Sequence, residues 1–223
     1  MTLIAEDVLV LLLDDEKGTV PSSVSLQPLL GGALLIELAL AEQVRVVRNG
    51  PWRSAKVHVT DAPAPGDPVL AEAWRTVAAK PRTAQDLVNR LGRGRKEVLA
   101  ERLAQRGILR RSDERVLGMF PRTRWPSADP RREEDLRRAL TAALVGGQEP
   151  DPRTAALVAL LHAVGRAHKS VPHEGLSGSA VRARAKEISQ GAWAAKAVKD
   201  AITAAQAAVI AATAASTAAA TNG

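Results

Sequence analysis

Residues 29–42 read LLGGALLIELALAE, an apolar run with no polar face and one acid, Glu37, set in its middle. A helix that is apolar all round has to be covered on every side, so this segment belongs at the centre of its domain. The rest of the chain must supply the cover. Gly31-Gly32 weakens the helix locally and marks a place where another backbone can come close. Glu37 in that setting is a candidate buried carboxylate, bonded to backbone or paired with an arginine rather than catalytic.

The cover reads as helical. Aromatic residues make up only 2% of the chain against 46% hydrophobic residues, so the core is built from Leu, Val, Ile and Ala. That palette favours helix packing over a sandwich or barrel. Residues 2–13 read as a short helix, broken at 14–18 and followed by a Ser/Pro loop over 19–28. Segments 44–48 and 56–60 largely alternate apolar and polar residues around Asn49-Gly50 and predict a hairpin whose connection is lengthened by 51–55. After a Pro/Ala linker at 61–66, helices start at Asp67-Pro68, at Thr83-Ala84-Gln85-Asp86, at Asp129-Pro130 and at Asp151-Pro152, the last running to about His168. Another spans 96–106 and stops at Gly107. A second hairpin is expected from strand 108–111, a turn at 112–114 and strand 116–120. A last helical region runs from Val181 into the Ala-rich tail. The expected architecture is mostly α, a single globular helical domain over 1–215 around a buried central helix, with two β-hairpins and a frayed tail at 216–223.

Several classes of function are excluded by what the chain lacks. There is no cysteine, so disulfides and thiolate metal sites are out and a cytoplasmic setting fits. Met1 runs directly into TLIAED, with acids where a secretory signal would carry Lys or Arg. Residues 201–220 are uncharged but dominated by Ala, Thr, Ser and Gln, too weakly apolar for a membrane span. The Ala- and Arg-rich composition fits a GC-rich bacterial genome. His58, His162, His168 and His173 form no HExxH or other ligand spacing, and no GxSxG elbow, phosphate loop or dinucleotide fingerprint occurs. No catalytic residue, metal or cofactor is therefore expected, and the chain reads as a non-enzyme.

Charge is the informative signal. Residues 75–138 hold 18 Lys and Arg against 9 Asp and Glu, whereas the whole chain carries a net +7, so the remainder is slightly acidic. The densest cluster is Arg90-Leu91-Gly92-Arg93-Gly94-Arg95-Lys96, at the start of a helix whose backbone N–H groups favour anions. Arg90, Arg93, Arg95 and Lys96 together form a candidate phosphate cradle. One partner is an anionic phospholipid surface. The alternative is nucleic acid, read by a winged helix over 83–120 with Gln105, Arg102 and Arg106 on its second helix. Glu97 and Glu101 on that same helix count against it.

The ordered set of segments resembles the Golgi phosphoprotein 3 family. TLIAEDVLVLL at 2–12 is similar to its first helix, and LGGALLIELAL at 30–40 to its central helix, most specifically in Ile36-Glu37-Leu38-Ala39-Leu40. Residues 54–70, with Thr60-Asp61-Ala62-Pro63 and Gly66-Asp67, resemble its hairpin exit. Glu101-Arg102-Leu103 through Gly107-Ile108-Leu109 resembles the helix before its projecting hairpin, and Asp151-Pro152-Arg153-Thr154 through His162-Ala163 a late helix. The likeness spans about the first 170 residues in order and the last fifty more loosely. It implies a helical adaptor attached peripherally to membranes bearing phosphatidylinositol 4-phosphate, self-associating through a hairpin near 109–125, with membrane-protein or glycosyltransferase clients. The family's headgroup site implies two basic residues three apart, which fall on Arg93 and Lys96. Its Trp and Arg fall on Ser22 and Gly31, so half of that site is replaced here; Lys17, Arg90 and Arg95 are the candidate substitutes. Coatomer binding through a basic N-terminal tail is not carried over.

Overall fold

The computed structural model describes residues 2–48, 50, 54–116, 120–190 and 196–221. Helix α1 (Ile4–Leu12) is buried along its whole length, including Glu6 and Asp7. Helix α2 (Leu26–Leu40) holds the apolar run and begins three residues earlier than that run. Leu29, Leu30, Ala33, Leu34, Leu35, Ile36 and Leu38 are fully buried. Cover comes from α1, α3 (Pro68–Ala79), α4 (Ala84–Gly92), α5 (Arg95–Gln105), α7 (Pro152–Ala163) and α9 (Lys196–Thr221), all of which touch α2. Each fully buried Leu contributes roughly 1.5–3 kcal/mol relative to exposure. The buried central helix expected from the sequence is thus the hub of the domain.

Helix starts follow their caps. The Asp67 carboxylate accepts from the N–H groups of Val69 and Leu70 at the head of α3. Thr83 accepts from Asp86 N–H at the head of α4. Asp151 accepts from Arg153 and Thr154 N–H at the head of α7. Helix α6 (Arg131–Leu144) lies between the second hairpin and α7, and Asp129 accepts from Arg131 N–H at its start. Helix α7 stops at Ala163 rather than near His168, because Gly165 takes a left-handed conformation and the Arg166 N–H returns to Leu161 O at 2.8 Å. His168 falls in a short 3-10 turn, Ala167–Lys169. The last helical region comprises α8 (Gly178–Gln190) and α9. Backbone helix extends to Thr221, through most of the residues expected to fray; 222 and 223 lie outside the described residues.

Strands β1 (Val44–Val47) and β2 (Lys56–Val59) pair antiparallel with Val44 opposite Val59, and Val44 and Val57 turn into the core. Asn49 and 51–53 of their connection lie outside the described residues. The second hairpin is displaced from its expected register. Strands β3 (Ser112–Val116) and β4 (Phe120–Arg124) pair antiparallel, so the residues read as a turn at 112–114 are strand. The acids there are held across the ladder: Asp113 accepts from Thr123 Oγ1 at 2.8 Å, and Glu114 pairs with Arg124 at 3.0 Å. Leu109, expected in the first strand, is instead buried in the core and bridges to Ser127. Residues 117–119 lie outside the described residues. Among the described residues no helix is long and apolar enough to cross a membrane.

Candidate anion-binding surface

Two buried acids on α1 decide which way the neighbouring cations face. Glu6 caps its own helix by accepting from Leu3 N–H at 2.7 Å. Its Oε1 lies 3.0 Å from Arg102 Nε, and its Oε2 accepts from Arg106 Nη1 at 3.0 Å. Arg102 also donates to both oxygens of Asp67, at 3.0 and 2.6 Å. Asp7 accepts from Arg132 Nε at 3.0 Å and from Arg153 Nη2 at 2.8 Å. Arg153 reaches on to Glu37 at 2.8 Å, and Glu37 also accepts from Ile4 N–H. Burial raises the Glu37 carboxyl above its ordinary range despite those partners. The expected arginine and backbone partners of Glu37 are both present.

This lattice answers the winged-helix alternative. The order α4, α5, β3, β4 does match such a reader. Yet Arg102 and Arg106, the cations that would meet a groove, turn inward to Glu6 and Asp67. Arg102 is spent on those acids, and Arg106, though exposed, is held at one nitrogen by Glu6, which counts against a groove reader.

The turn between α4 and α5 carries the candidate cradle, with Gly94 in a left-handed conformation at φ +67°. Its four cations do not share one concavity. Arg90 and Arg93 line a depression of about 520 Å³ between α3 and α4, together with Glu72, Arg75, Thr76, Ala79 and Arg82. Arg95 and Lys96 line a smaller one of about 240 Å³ with Leu26, Gln27, Leu30, Gly92, Gly94 and Glu97. Two of the four are engaged by acids. Arg90 Nε donates to Asp86 at 2.8 Å. Arg95 is clamped by Glu72, is 12% exposed along its side chain, and also donates to Leu91 O at 3.1 Å. The Arg95 fork holds the Glu72 carboxyl below its usual range. Arg93 and Lys96 have no ion-pair partner among the described residues. Lys17 is exposed but lines neither depression; its neighbour Gly18 rests against the backbone of Trp125 and Pro126.

The smaller depression has a property that charge counting misses. It sits where the first turns of two helices meet, Leu26 and Gln27 of α2 and Arg95 to Glu97 of α5. Neither start is closed by a capping side chain: Ser25 makes no cap bond, and Gly94 has no side chain to make one. Two helix starts that lack a capping side chain therefore border one depression beside Lys96, a setting that favours an anion. The sequence signal for the start of α2 is Ser25, a capping residue type ahead of the apolar run that begins at Leu29. Ser22 is exposed in the turn leading into α2.

Among the described residues no group of His, Asp and Glu could hold a metal ion. No curated protein matches the chain. The family model described as Golgi phosphoprotein 3 (GPP34) matches residues 4–205, and the chain belongs to that family of adaptor-type proteins.

Proposed function

We propose that the protein is a non-enzymatic adaptor that attaches peripherally to membranes by seating an anionic phospholipid headgroup, of the phosphoinositide type, in the depression where α2 and α5 begin. The observation that carries this reading is the meeting of two uncapped helix N-termini beside Lys96, with Arg93 exposed on the adjoining turn. A helix N-terminus contributes roughly 0.3–1 kcal/mol toward an anion, and each cation near an anionic leaflet about 1 kcal/mol. Such a seat is weak and reversible, as an adaptor that cycles between membrane and cytoplasm requires. The resemblance favours phosphatidylinositol 4-phosphate as the headgroup. Ser22 and Gly31 replace its aromatic and arginine contacts, so headgroup selectivity rests on Lys96, Arg93 and the backbone donors. A membrane-protein client, such as a glycosyltransferase, and self-association through β3–β4 belong to the same reading.

The test is flotation with vesicles of phosphatidylcholine, alone and doped with phosphatidylinositol 4-phosphate, beside a gel shift with random duplex DNA. Recruitment to the doped vesicles is expected, and the double variant Arg93→Glu/Lys96→Glu is expected to lose it at unchanged helicity. Undiminished recruitment of that variant, or DNA binding in its place, would sink the assignment.

A further inference from the structure

The larger depression adjoins the headgroup seat at Arg93 and has its own chemistry. Arg75 projects into it from α3, Arg82 from the segment joining α3 to α4, and Arg90 and Arg93 from α4 and its end. The acids nearby are already committed. Glu72 is held by both terminal nitrogens of Arg95, and Asp86 is shared between Arg90 at 2.8 Å and Arg82 at 3.5 Å. Arg75 donates only to a backbone carbonyl of its own helix, Ala71 O, and Arg93 has no ion-pair partner among the described residues. The Nε of Arg82 is buried and has no hydrogen-bond partner among the described residues. The 3.5 Å contact to Asp86 therefore holds the Arg82 guanidinium only loosely. Positive charge thus exceeds negative in a concavity of about 520 Å³ walled by four arginines.

We infer that this depression is a second anion seat, which takes a terminal phosphate, a phosphomonoester dianion, on the guanidinium groups of Arg75, Arg82 and Arg90. Arginine forks match the geometry of phosphate oxygens, and several on one dianion outweigh what a singly charged diester can gain. The concave shape suits the end of a small molecule or headgroup rather than a continuous duplex. The two seats adjoin at Arg93, but the phosphate is held here by Arg75, Arg82 and Arg90, without either helix N-terminus or Lys96, so this inference stands without the headgroup reading. The phosphomonoester can reach it free in solution or as the exposed headgroup of a lipid.

Glycerol 3-phosphate titrated by calorimetry, and vesicles carrying phosphatidic acid or phosphatidylglycerol at equal surface charge, separate the two sources. In a Lys96→Glu background, which empties the other seat, glycerol 3-phosphate is expected still to bind. Adding Arg75→Ala with Arg82→Gln is expected to weaken that binding by about tenfold or more, the loss of at least one charge-assisted hydrogen bond. Arg75→Ala alone, which breaks no ion pair, guards against a misfolded double variant and is expected to weaken binding in the same direction. A preference for phosphatidic acid vesicles that disappears with the arginines identifies a lipid source; its absence, with soluble binding intact, identifies a free phosphomonoester. Unaltered affinity in both arginine variants, or stronger competition by duplex DNA than by glycerol 3-phosphate, overturns the inference. Loss of vesicle recruitment through Lys96→Glu bears only on the headgroup seat.

Discussion

Gly31 and Gly92 each lie against the carbonyl oxygen one helical turn before the other: a β-carbon on Gly31 would stand 1.9 Å from Val88 O, and one on Gly92 1.7 Å from Gln27 O. Helices α2 and α4 therefore cross backbone on backbone, and the crossing sets the α4–α5 turn against the start of α2. The depression at the starts of α2 and α5 lies beside this contact. The position at which the resemblance implies an arginine is the one where this chain admits no side chain at all.

Gly31→Ala and Gly92→Ala are each expected to destabilise the fold by about 3 kcal/mol or more, since the obstructing atoms are backbone and cannot rotate away. Gly94→Ala meets nothing within 4 Å and changes only a left-handed residue, so about 1 kcal/mol is expected there. Urea midpoints at constant slope measure all three. Equal losses at Gly92 and Gly94 would mean that conformation, not close approach, governs the crossing.

Arg153 joins Asp7 on α1 to Glu37 on α2 from the first turn of α7. Arg153→Met leaves Glu37 with a single backbone donor, and the loss is expected to reach about 3–5 kcal/mol. The Glu37 carboxyl is already raised by burial, and without its partner it rises further. Above that folded value the variant holds an uncompensated buried charge. As pH falls toward the ordinary 4.5 the carboxyl takes up a proton in the folded state first, so the deficit against wild type narrows. Adding Glu37→Gln is expected to recover part of it at neutral pH. Denaturant titrations at several pH values check both statements.

What was legible in the sequence follows from range. The all-apolar face of 29–42 left no alternative to burial, and Asp67, Thr83 and Asp151 marked their helix starts because a cap acts within three residues. Glu37 was recognisable as an acid needing a partner, but Arg153 lies 116 residues away and no local pattern names it. The basic turn misled for the same reason. Four cations in seven residues read as one patch, while Glu72, which claims Arg95, comes from α3; Asp86, one turn before Arg90 on α4, was within reach of a local reading. The second hairpin slipped because Asp113 and Glu114 look like turn residues until cross-strand partners are known.

Asp67 both caps α3 and receives the Arg102 fork. Burial alone would raise its carboxyl, but the Arg102 hydrogen bonds and the two cap N–H groups outweigh that and hold it below 3.8. The unfolded chain then takes up a proton before the folded one as pH drops, so the ionised group's stabilisation is complete above 3.8 and is lost as pH falls through the lower folded value. Asp67→Asn is accordingly expected to cost about 1–2 kcal/mol at neutral pH and progressively less below pH 3.8. A constant difference across that range, measured by thermal unfolding, would mean that Asn reproduces every bond Asp67 makes.

Salt should separate membrane attachment from fold stability. Arg93 is exposed and Lys96 only half-buried, so their attraction to a lipid surface is screened over a Debye length of about 8 Å at physiological salt and about 3 Å at 1 M. Glu6 and Asp7, by contrast, are fully buried within hydrogen-bond distance of their arginines, where mobile ions do not reach. Raising sodium chloride is therefore expected to release the protein from anionic vesicles while the thermal midpoint shifts little. Attachment that survives 1 M salt would have to be driven by apolar insertion, with Val98, exposed on α5 two residues beyond Lys96, as the side chain to replace first.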